Sequence, residues 1–330
     1  MMGIELTPEH PVDRMIEIGN AAERAGFDTL FTSCHYNNRD PFIVLSQLAR
    51  ETTDIQLGPG VINPYEIHPV RLASTIATLD EASDGRAVYG IGPGDPSTLQ
   101  NLGNTDQRGL RSVLEAFRTA RHLWVGEHVN HDGTFVARDA GLNYTPASDD
   151  IPVYVGGEGP HMCRMSAKHA DGLLFNGSHP DDIAWAREQV EQGRKERADD
   201  RGSFDFAAYA SVSIAEDDTA AREAARPPVA FITAGAAQPV LDRHAIDEAR
   251  ASAIGEAISA GAFSDAFRQV TDEMIDAFCI AGTPDSVERQ MNDVLAYADS
   301  IVVASPLGPD IDNAITLAAR TLERIELKRD

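Results

Sequence analysis

Short apolar or β-branched runs alternate with stretches of helical periodicity almost from the first residue, the pattern expected of βα units repeated around a parallel sheet. Eight strands are read in this way: Gly3 to Leu6, Asp28 to Thr32, Ile55 to Val61, Ala87 to Ile91, Val153 to Val155, Gly172 to Phe175, Phe206 to Ile214 and Ser300 to Ala304. In the first helix Val12, Met15, Ile16 and Ala22 fall on one face, and Gly26 follows as a C-terminal cap. Near the other end, Thr283 reads as an N-cap with Pro284 at the first helical position, followed by Val287, Met291, Val294 and Leu295. The expected fold is α/β, a (β/α)8 barrel of the TIM type.

A chain of 330 residues with 42% hydrophobic content can bury one large core. One barrel domain over residues 1–330 is expected, carrying an insertion. About 85 residues separate the seventh strand from the eighth, far more than one helix needs. The helical insertion is placed at about 218–282: Ala220 to Arg226, then Pro227-Pro228, then a segment from Leu241 to Phe267. It would cover a substrate or form an oligomer contact, and a homo-oligomer, dimer or tetramer, is expected. With no long apolar run and no basic, apolar leader at the N-terminus, a cytoplasmic location is expected.

The net charge of −24 argues against a nucleic-acid surface or an anionic membrane, both of which need clustered basic residues. Lysine occurs only at Lys168, Lys195 and Lys328, so arginine supplies nearly all of the 28 positive charges. Acid-rich, lysine-poor surfaces of this kind resemble proteins of salt-loving cells, where ionic strength screens the repulsion. Cys34, Cys163 and Cys279 are far apart and form no Cys-x-x-Cys pair, which supports neither a zinc ribbon nor a disulfide framework. The spacing His128-x-x-His131 has no third ligand in view, and no metal is assigned.

In a TIM barrel the residues just past the strand ends converge on the ligand. Strand one ends with Glu5 in an otherwise apolar run, either a salt-bridged carboxylate or a group facing the barrel mouth. Strand two runs into the polar, aromatic-containing turn Ser33-Cys34-His35-Tyr36-Asn37-Asn38-Arg39. Strand three ends in Gly58-Pro59-Gly60-Val61-Ile62-Asn63-Pro64-Tyr65, where glycine on both sides of a proline allows a bulge or a close backbone approach to a ligand. Strand four delivers Gly90-Ile91-Gly92-Pro93-Gly94-Asp95. Pro93 spoils a dinucleotide fingerprint here, and a turn that leaves room for a flat ring and aims Asp95 at it suits a barrel better. Strand five ends in Val155-Gly156-Gly157-Glu158-Gly159-Pro160 before a helix, making Gly156 and Gly157 the phosphate-site candidate. Strand six adds Asn176 and Ser178 in Asn176-Gly177-Ser178-His179-Pro180.

Together these ends resemble the deazaflavin-dependent branch of the bacterial luciferase-like superfamily, and most of all the archaeal methylenetetrahydromethanopterin reductases. The matching stretches are Gly3-Ile4-Glu5, His35-Tyr36-Asn37-Asn38-Arg39, Gly58-Pro59-Gly60-Val61 with Asn63-Pro64-Tyr65, Thr78-Leu79-Asp80-Glu81 leading to Gly85-Arg86-Ala87, and Gly90-Ile91-Gly92-Pro93-Gly94-Asp95. The resemblance implies coenzyme F420 in the barrel mouth, a cis peptide at Gly60-Val61 supporting its ring, cofactor contacts from His35, Asn63, Gly94 and Asp95, and the phosphate near Gly156 and Gly157. Where that family usually has an aspartate before the histidine of the second stretch, this chain has Cys34. The activity implied is hydride transfer from the reduced deazaflavin to the methylene carbon of a one-carbon-loaded pterin. Glu5 is the candidate acid, through a raised pKa, and Asp95 would tune Glu5 or hold the pterin. The acidic composition tilts the pterin toward methylenetetrahydrofolate over methylenetetrahydromethanopterin.

Other members of that superfamily imply alternatives: an F420-dependent alcohol or sugar-phosphate dehydrogenase, or an FMN-dependent monooxygenase. A non-catalytic flavin-binding barrel is a further reading, expected to have lost its polar strand ends. Glu5, His35, Asn63 and Asp95 are all present.

Overall fold

A computed structural model describes residues 1–104, 109–198 and 202–325. By contacts the chain divides into two compact units, one taking residues 3–175 and 188–207, the other 176–187 and 208–330.

The first unit opens with β1 (Met2–Leu6), α1 (Val12–Arg24), β2 (Thr29–Thr32), α2 (Pro41–Glu51), β3 (Gln56–Pro59), α3 (Pro69–Ala82) and β4 (Tyr89–Ile91). It continues with α4 (Pro96–Asn101), α5 (Gly109–Trp124), β5 (Val129–Asp132), β6 (Val136–Ala140), β7 (Val153–Gly156), α6 (Pro160–His169) and β8 (Gly172–Asn176). Proline begins α2, α3, α4 and α6, where the missing N–H has no intrahelical partner to lose. In α1 the buried stripe is Met15, Ile18, Gly19 and Ala22. Val12 and Ile16, expected on the core face, are only half-buried, because the stripe is set one position round the helix.

Apart from the antiparallel pair β5 and β6, the strands are parallel and their register decides what faces inward. Glu5 pairs with Phe31, Phe31 with Gly58, and Gly90 with Tyr154; bridges Leu57–Ala87 and Ile62–Ile91 join β3 to β4. Phe31 and Tyr154 meet edge to face with ring centroids 6.3 Å apart, although β3 and β4 lie between their strands. That contact requires the sheet of this unit to curve so that both rings stand on its concave side. Side chains alternate along a strand, so Ser33, Gly60, Gly92 and Gly156 come next on that side. The layer above the two rings is therefore made of one hydroxymethyl group and three glycines.

The second unit holds most of α7 (Pro180–Arg194) up to Arg187 and most of β9 (Asp205–Ile214). The helices α8 (Asp218–Gly235), α9 (Gln238–Arg243), α10 (Glu248–Ser259), α11 (Phe263–Gln269) and α12 (Asp272–Phe278) follow. Last come β10 (Ile280–Gly282), α13 (Pro284–Leu295), β11 (Ser300–Leu307) and α14 (Ile311–Glu323). β9 adjoins β11 and also pairs in parallel with β10, at Ile280 and Val212. Five helices, α8 to α12, thus occupy most of the span read as an insertion, and they close around a core that includes Val229, Ile254, Met274, Ile275 and Phe278. Pro227 and Pro228 lie inside α8, not between two helices. Thr283 is the N-cap of α13, yet its side chain makes no capping hydrogen bond.

Eight strands, β1 to β4, β7 to β9 and β11, each lead into a helix, which is the (β/α)8 TIM-barrel plan. The β5–β6 hairpin and β10 are additional to the strands read from the sequence pattern. Among the described residues no helix is long and apolar enough to cross a membrane.

Candidate active site

Glu5 lies on β1 beside Phe31 and is 3% exposed. It is therefore an inward carboxylate and not a surface ion pair. Thr7, the residue just past the same strand, donates from its hydroxyl to Glu5 Oε1 at 3.1 Å.

Cys34 stands on the loop after β2, half-buried, and its thiol donates to the Thr32 carbonyl at 3.4 Å. Burial pushes the thiol far above its ordinary range, and the nearby carboxylates of Glu66, Asp40 and Glu5 push it further. Cys34 is therefore a neutral thiol, a weak donor, and no nucleophile. His35 beside it is exposed, and its carbonyl accepts from the Asn38 N–H at 3.0 Å, closing the turn.

After β3 the Gly60–Val61 peptide is cis, as the resemblance implied. The methyls of Val61 fill the space over the glycine layer: a Cβ built on Gly92 would lie 2.5 Å from one, and on Gly156 2.9 and 3.0 Å from both. Any larger side chain at Gly92 or Gly156 would displace Val61, so the three positions form one surface.

Asn63 is buried and fully committed: its Oδ1 accepts from the backbone N–H groups of Tyr65 and Glu66 at 3.0 and 3.1 Å, and its Nδ2 donates to Glu66 Oε1. The side chain thus builds the turn that carries it. Gly94 takes φ +75°, with Asn63 3.1 Å from where a Cβ would be, so the β4 loop packs directly on this amide. Asp95 is exposed and caps α4, accepting from the Thr98 N–H at 2.8 Å.

Gly156 ends β7 and Gly157 follows it, but the Gly157 N–H donates to the Leu174 carbonyl at 3.2 Å and so is already used alongside β8. The donors left at this point for an anion are those of the first turn of α6, whose N-cap, Gly159, supplies no side-chain acceptor. Asn176 and Ser178 belong to the second unit, where Ser178 Oγ accepts from the Ser211 N–H at 3.0 Å and donates to its carbonyl at 3.4 Å.

The structure of the first unit thus gathers Glu5, Cys34, Gly60, Val61, Asn63 and Gly94 around the strand ends, with Thr7 and Glu66 as partners that the sequence reading did not single out. Glu66 had a signal, since asparagine before Pro-Tyr-Glu is a turn-building residue that bonds to N–H groups two and three positions on. The Thr78 to Ala87 stretch serves structure instead. Arg86 donates to the carbonyls of Ser83, Ile55, Ala49 and Thr52, while Asp80 Oδ1 accepts from the Ala87 N–H. Both lie at the amino ends of the strands, the stability face of a barrel. The two spaced histidines are likewise held by carboxylates, His131 by Glu115 and His128 by Asp139. Two surface hollows of about 700 and 490 Å³ flank Tyr144, and none of the candidate residues lines them.

A flat ring system suits this surface: the glycine layer and Val61 offer a smooth support, with Glu5 buried at the level of Phe31. Residues 2–301 match the luciferase-like monooxygenase family, and the chain belongs to it. Over 326 residues it is 41% identical to the 5,10-methylenetetrahydromethanopterin reductase of Archaeoglobus fulgidus, covering 97% of this chain and 98% of the relative. It is 39% identical over 322 residues to the enzyme of the same name from Methanolobus tindarius, covering 97% and 98%. The crystal structure of the coenzyme F420-dependent tetrahydromethanopterin reductase of Methanopyrus kandleri superposes with a TM-score of 0.90 at 37% identity, covering 97% of each chain.

Proposed function

We propose that this protein is an F420-dependent 5,10-methylenetetrahydropterin reductase, an oxidoreductase acting on a CH–NH group, with tetrahydromethanopterin or tetrahydrofolate as the pterin. The observation that carries the reading is the combination of a buried Glu5 on β1 with the surface made by cis Gly60–Val61, Gly92 and Gly156, in a chain similar over nearly its whole length to reductases of that name. When bound, the reduced deazaflavin supplies a hydride to the methylene carbon of the pterin.

The roles of the chain's own residues follow from their chemistry. Gly60, Val61 and the glycines behind them support the ring, and Asn63 and Gly94 fix the loops that border it. Cys34 and His35 flank the ring edge, with Cys34 offering a neutral thiol where a carboxylate would add a charge. Gly156 and Gly157 lead the chain to the first turn of α6, whose N–H groups suit the cofactor's phosphate. Asn176 and Ser178 are assigned to the cofactor by sequence alone.

The bridging ring of the pterin opens only when the departing aryl nitrogen is protonated, and Glu5 is the acid that would give that proton. Asp95, which caps α4, would hold the pterin or bias Glu5 through its charge. The net charge of −24 favours assays at high salt and keeps the folate form of the pterin in contention.

The test is anaerobic mixing with reduced F420 and each pterin in turn, following the absorbance of the oxidised deazaflavin. Oxidation is expected with one pterin, and Glu5→Gln should lower its rate by roughly 10²- to 10⁴-fold while F420 still binds. Tight binding of F420 with no oxidation by either pterin would sink the reductase reading in favour of a dehydrogenase of the same family. Binding of FMN in place of F420 would point to an oxygenase.

A further inference from the structure

The acid role given to Glu5 asks two things of one carboxyl: it must hold a proton near neutral pH and still release it in each turnover. Burial at 3% exposure favours the first by penalising the charged form. The Cys34 thiol feels the charges of Glu66, Asp40 and Glu5 together, so Glu5 shares its neighbourhood with other acidic groups. A group that only favoured the neutral form would hold the proton back from transfer.

Thr7 works the other way. It follows Glu5 by two residues, so alternation puts both side chains on the same side of the chain, and its hydroxyl donates to Glu5 Oε1 at 3.1 Å. Its backbone is held as well. The Thr7 carbonyl accepts from the Glu9 N–H at 2.8 Å, and Arg39 ties the same loop down through its N–H to the Pro8 carbonyl at 3.4 Å and its Nη1 to the Glu9 carbonyl at 2.6 Å. The hydroxyl is thus fixed over the carboxyl.

We propose that Thr7 is a positioning residue of Glu5, holding its carboxyl in one orientation and favouring its ionised form through the hydroxyl bond. The inference rests on the reading of Glu5 as the acid. A threonine hydroxyl suits the task because it both donates and accepts. Toward the carboxylate it donates a charge-assisted bond, and toward the carboxylic acid the roles reverse, with Glu5 donating to Thr7 Oγ1. The bond to the charged form is the stronger, so the pair favours ionisation while keeping the carboxyl in one orientation in both states.

Thr7→Val keeps the shape and removes the hydroxyl, and Thr7→Ser keeps the hydroxyl. The titration of Glu5 would be followed in cofactor-free protein by the infrared difference between each protein and the same protein carrying Glu5→Gln. Thr7→Val should raise the Glu5 midpoint by roughly half to one pH unit, and Thr7→Ser should restore it. In the reductase assay the pH limb set by Glu5 should move upward with it. A midpoint unmoved or lowered in Thr7→Val, or a Thr7→Ser protein that titrates like Thr7→Val, would overturn the proposal. If Thr7→Val does not fold, Thr7→Ala carries the same expectation and the same refutation. The titration needs neither F420 nor pterin. A wild type that reduces neither pterin, yet shows the Thr7-dependent midpoint, would refute the reductase reading and leave the pairing of Thr7 with Glu5 standing.

Discussion

The strand ends of the first unit and the helices α8 to α12 of the second are both closely packed, but by opposite means. At the strand ends the packing is done by absence: Gly58, Gly90, Gly92 and Gly156 let backbones approach and make room for Val61. Among the helices it is done by bulk, with Val229, Ile254, Met274, Ile275 and Phe278 interlocking around one apolar core. A core of bulk can relax partly when a side chain is trimmed. A surface made of missing side chains has nothing to trim, and it fails when something is added. The difference explains why one region reads as a site and the other as support.

Gly90 is the sharpest place to break the comparison. A Cβ there would lie 1.9 Å from the Pro59 carbonyl oxygen, a backbone atom held in the neighbouring strand. Gly90→Ala should cost at least the roughly 3 kcal/mol at the upper end of ordinary overpacking, and yield of soluble protein and denaturant midpoint would show it. A midpoint within about 1 kcal/mol of wild type would mean that β3 and β4 can part without cost, contrary to the packing described.

Ile254→Ala in α10 tests the other side. Ile254 is fully buried in the helical core, so truncation should cost about 2–5 kcal/mol in urea unfolding. Affinity for F420, measured well below the transition, should stay within about twofold of wild type, because the substitution leaves the strand ends of the first unit intact. Loss of affinity on the scale of the lost stability would show that the helices act on cofactor binding directly.

How much was legible in the sequence follows the same division. All eight barrel strands could be placed, because each is a short apolar run closed by glycine, proline or a polar turn. The polar residues past the strand ends stood out for the same reason. What stayed hidden depends on distant partners. The hairpin strands β5 and β6 are mostly polar and carry His131, Asp132, Arg138 and Asp139, so no apolar alternation announces them. Strand β10 is three residues long and is defined by its pairing with β9. In α8, Pro227-Pro228 looked like a boundary, yet the apolar face of Ala221, Ala225, Val229 and Ala230 continues across it into the core. At the site, the paired roles of Thr7 with Glu5 and of Glu66 with Asn63 are contacts between side chains, and the sequence shows only the residues that could make them.

The hairpin gives the smallest of the expected effects, and one with a defined dependence on pH. Glu115 of α5 holds it. The carboxylate accepts from the Thr134 N–H and hydroxyl at 2.8 Å each, bonds His131 Nε2 at 2.8 Å, and takes Arg111 Nε at 2.6 Å on its other oxygen. Burial alone would raise its pKa, but these bonds outweigh it, the Thr134 N–H foremost among them, and hold it from 4.5 down to about 2. A depressed carboxylate pKa stabilises the fold fully above the unfolded value, and that contribution fades as pH falls toward the folded one. Glu115→Gln removes the charge and keeps the shape. At about pH 7 it should lower stability by about 1–2 kcal/mol and speed amide exchange across 129–140. The gap to wild type should narrow as the pH drops through the interval from 4.5 to about 2, where wild-type Glu115 itself becomes neutral. A gap that stayed constant down to about pH 2 would mean that shape and not charge fastens the hairpin, and the packing of this region would then resemble that of the helical core.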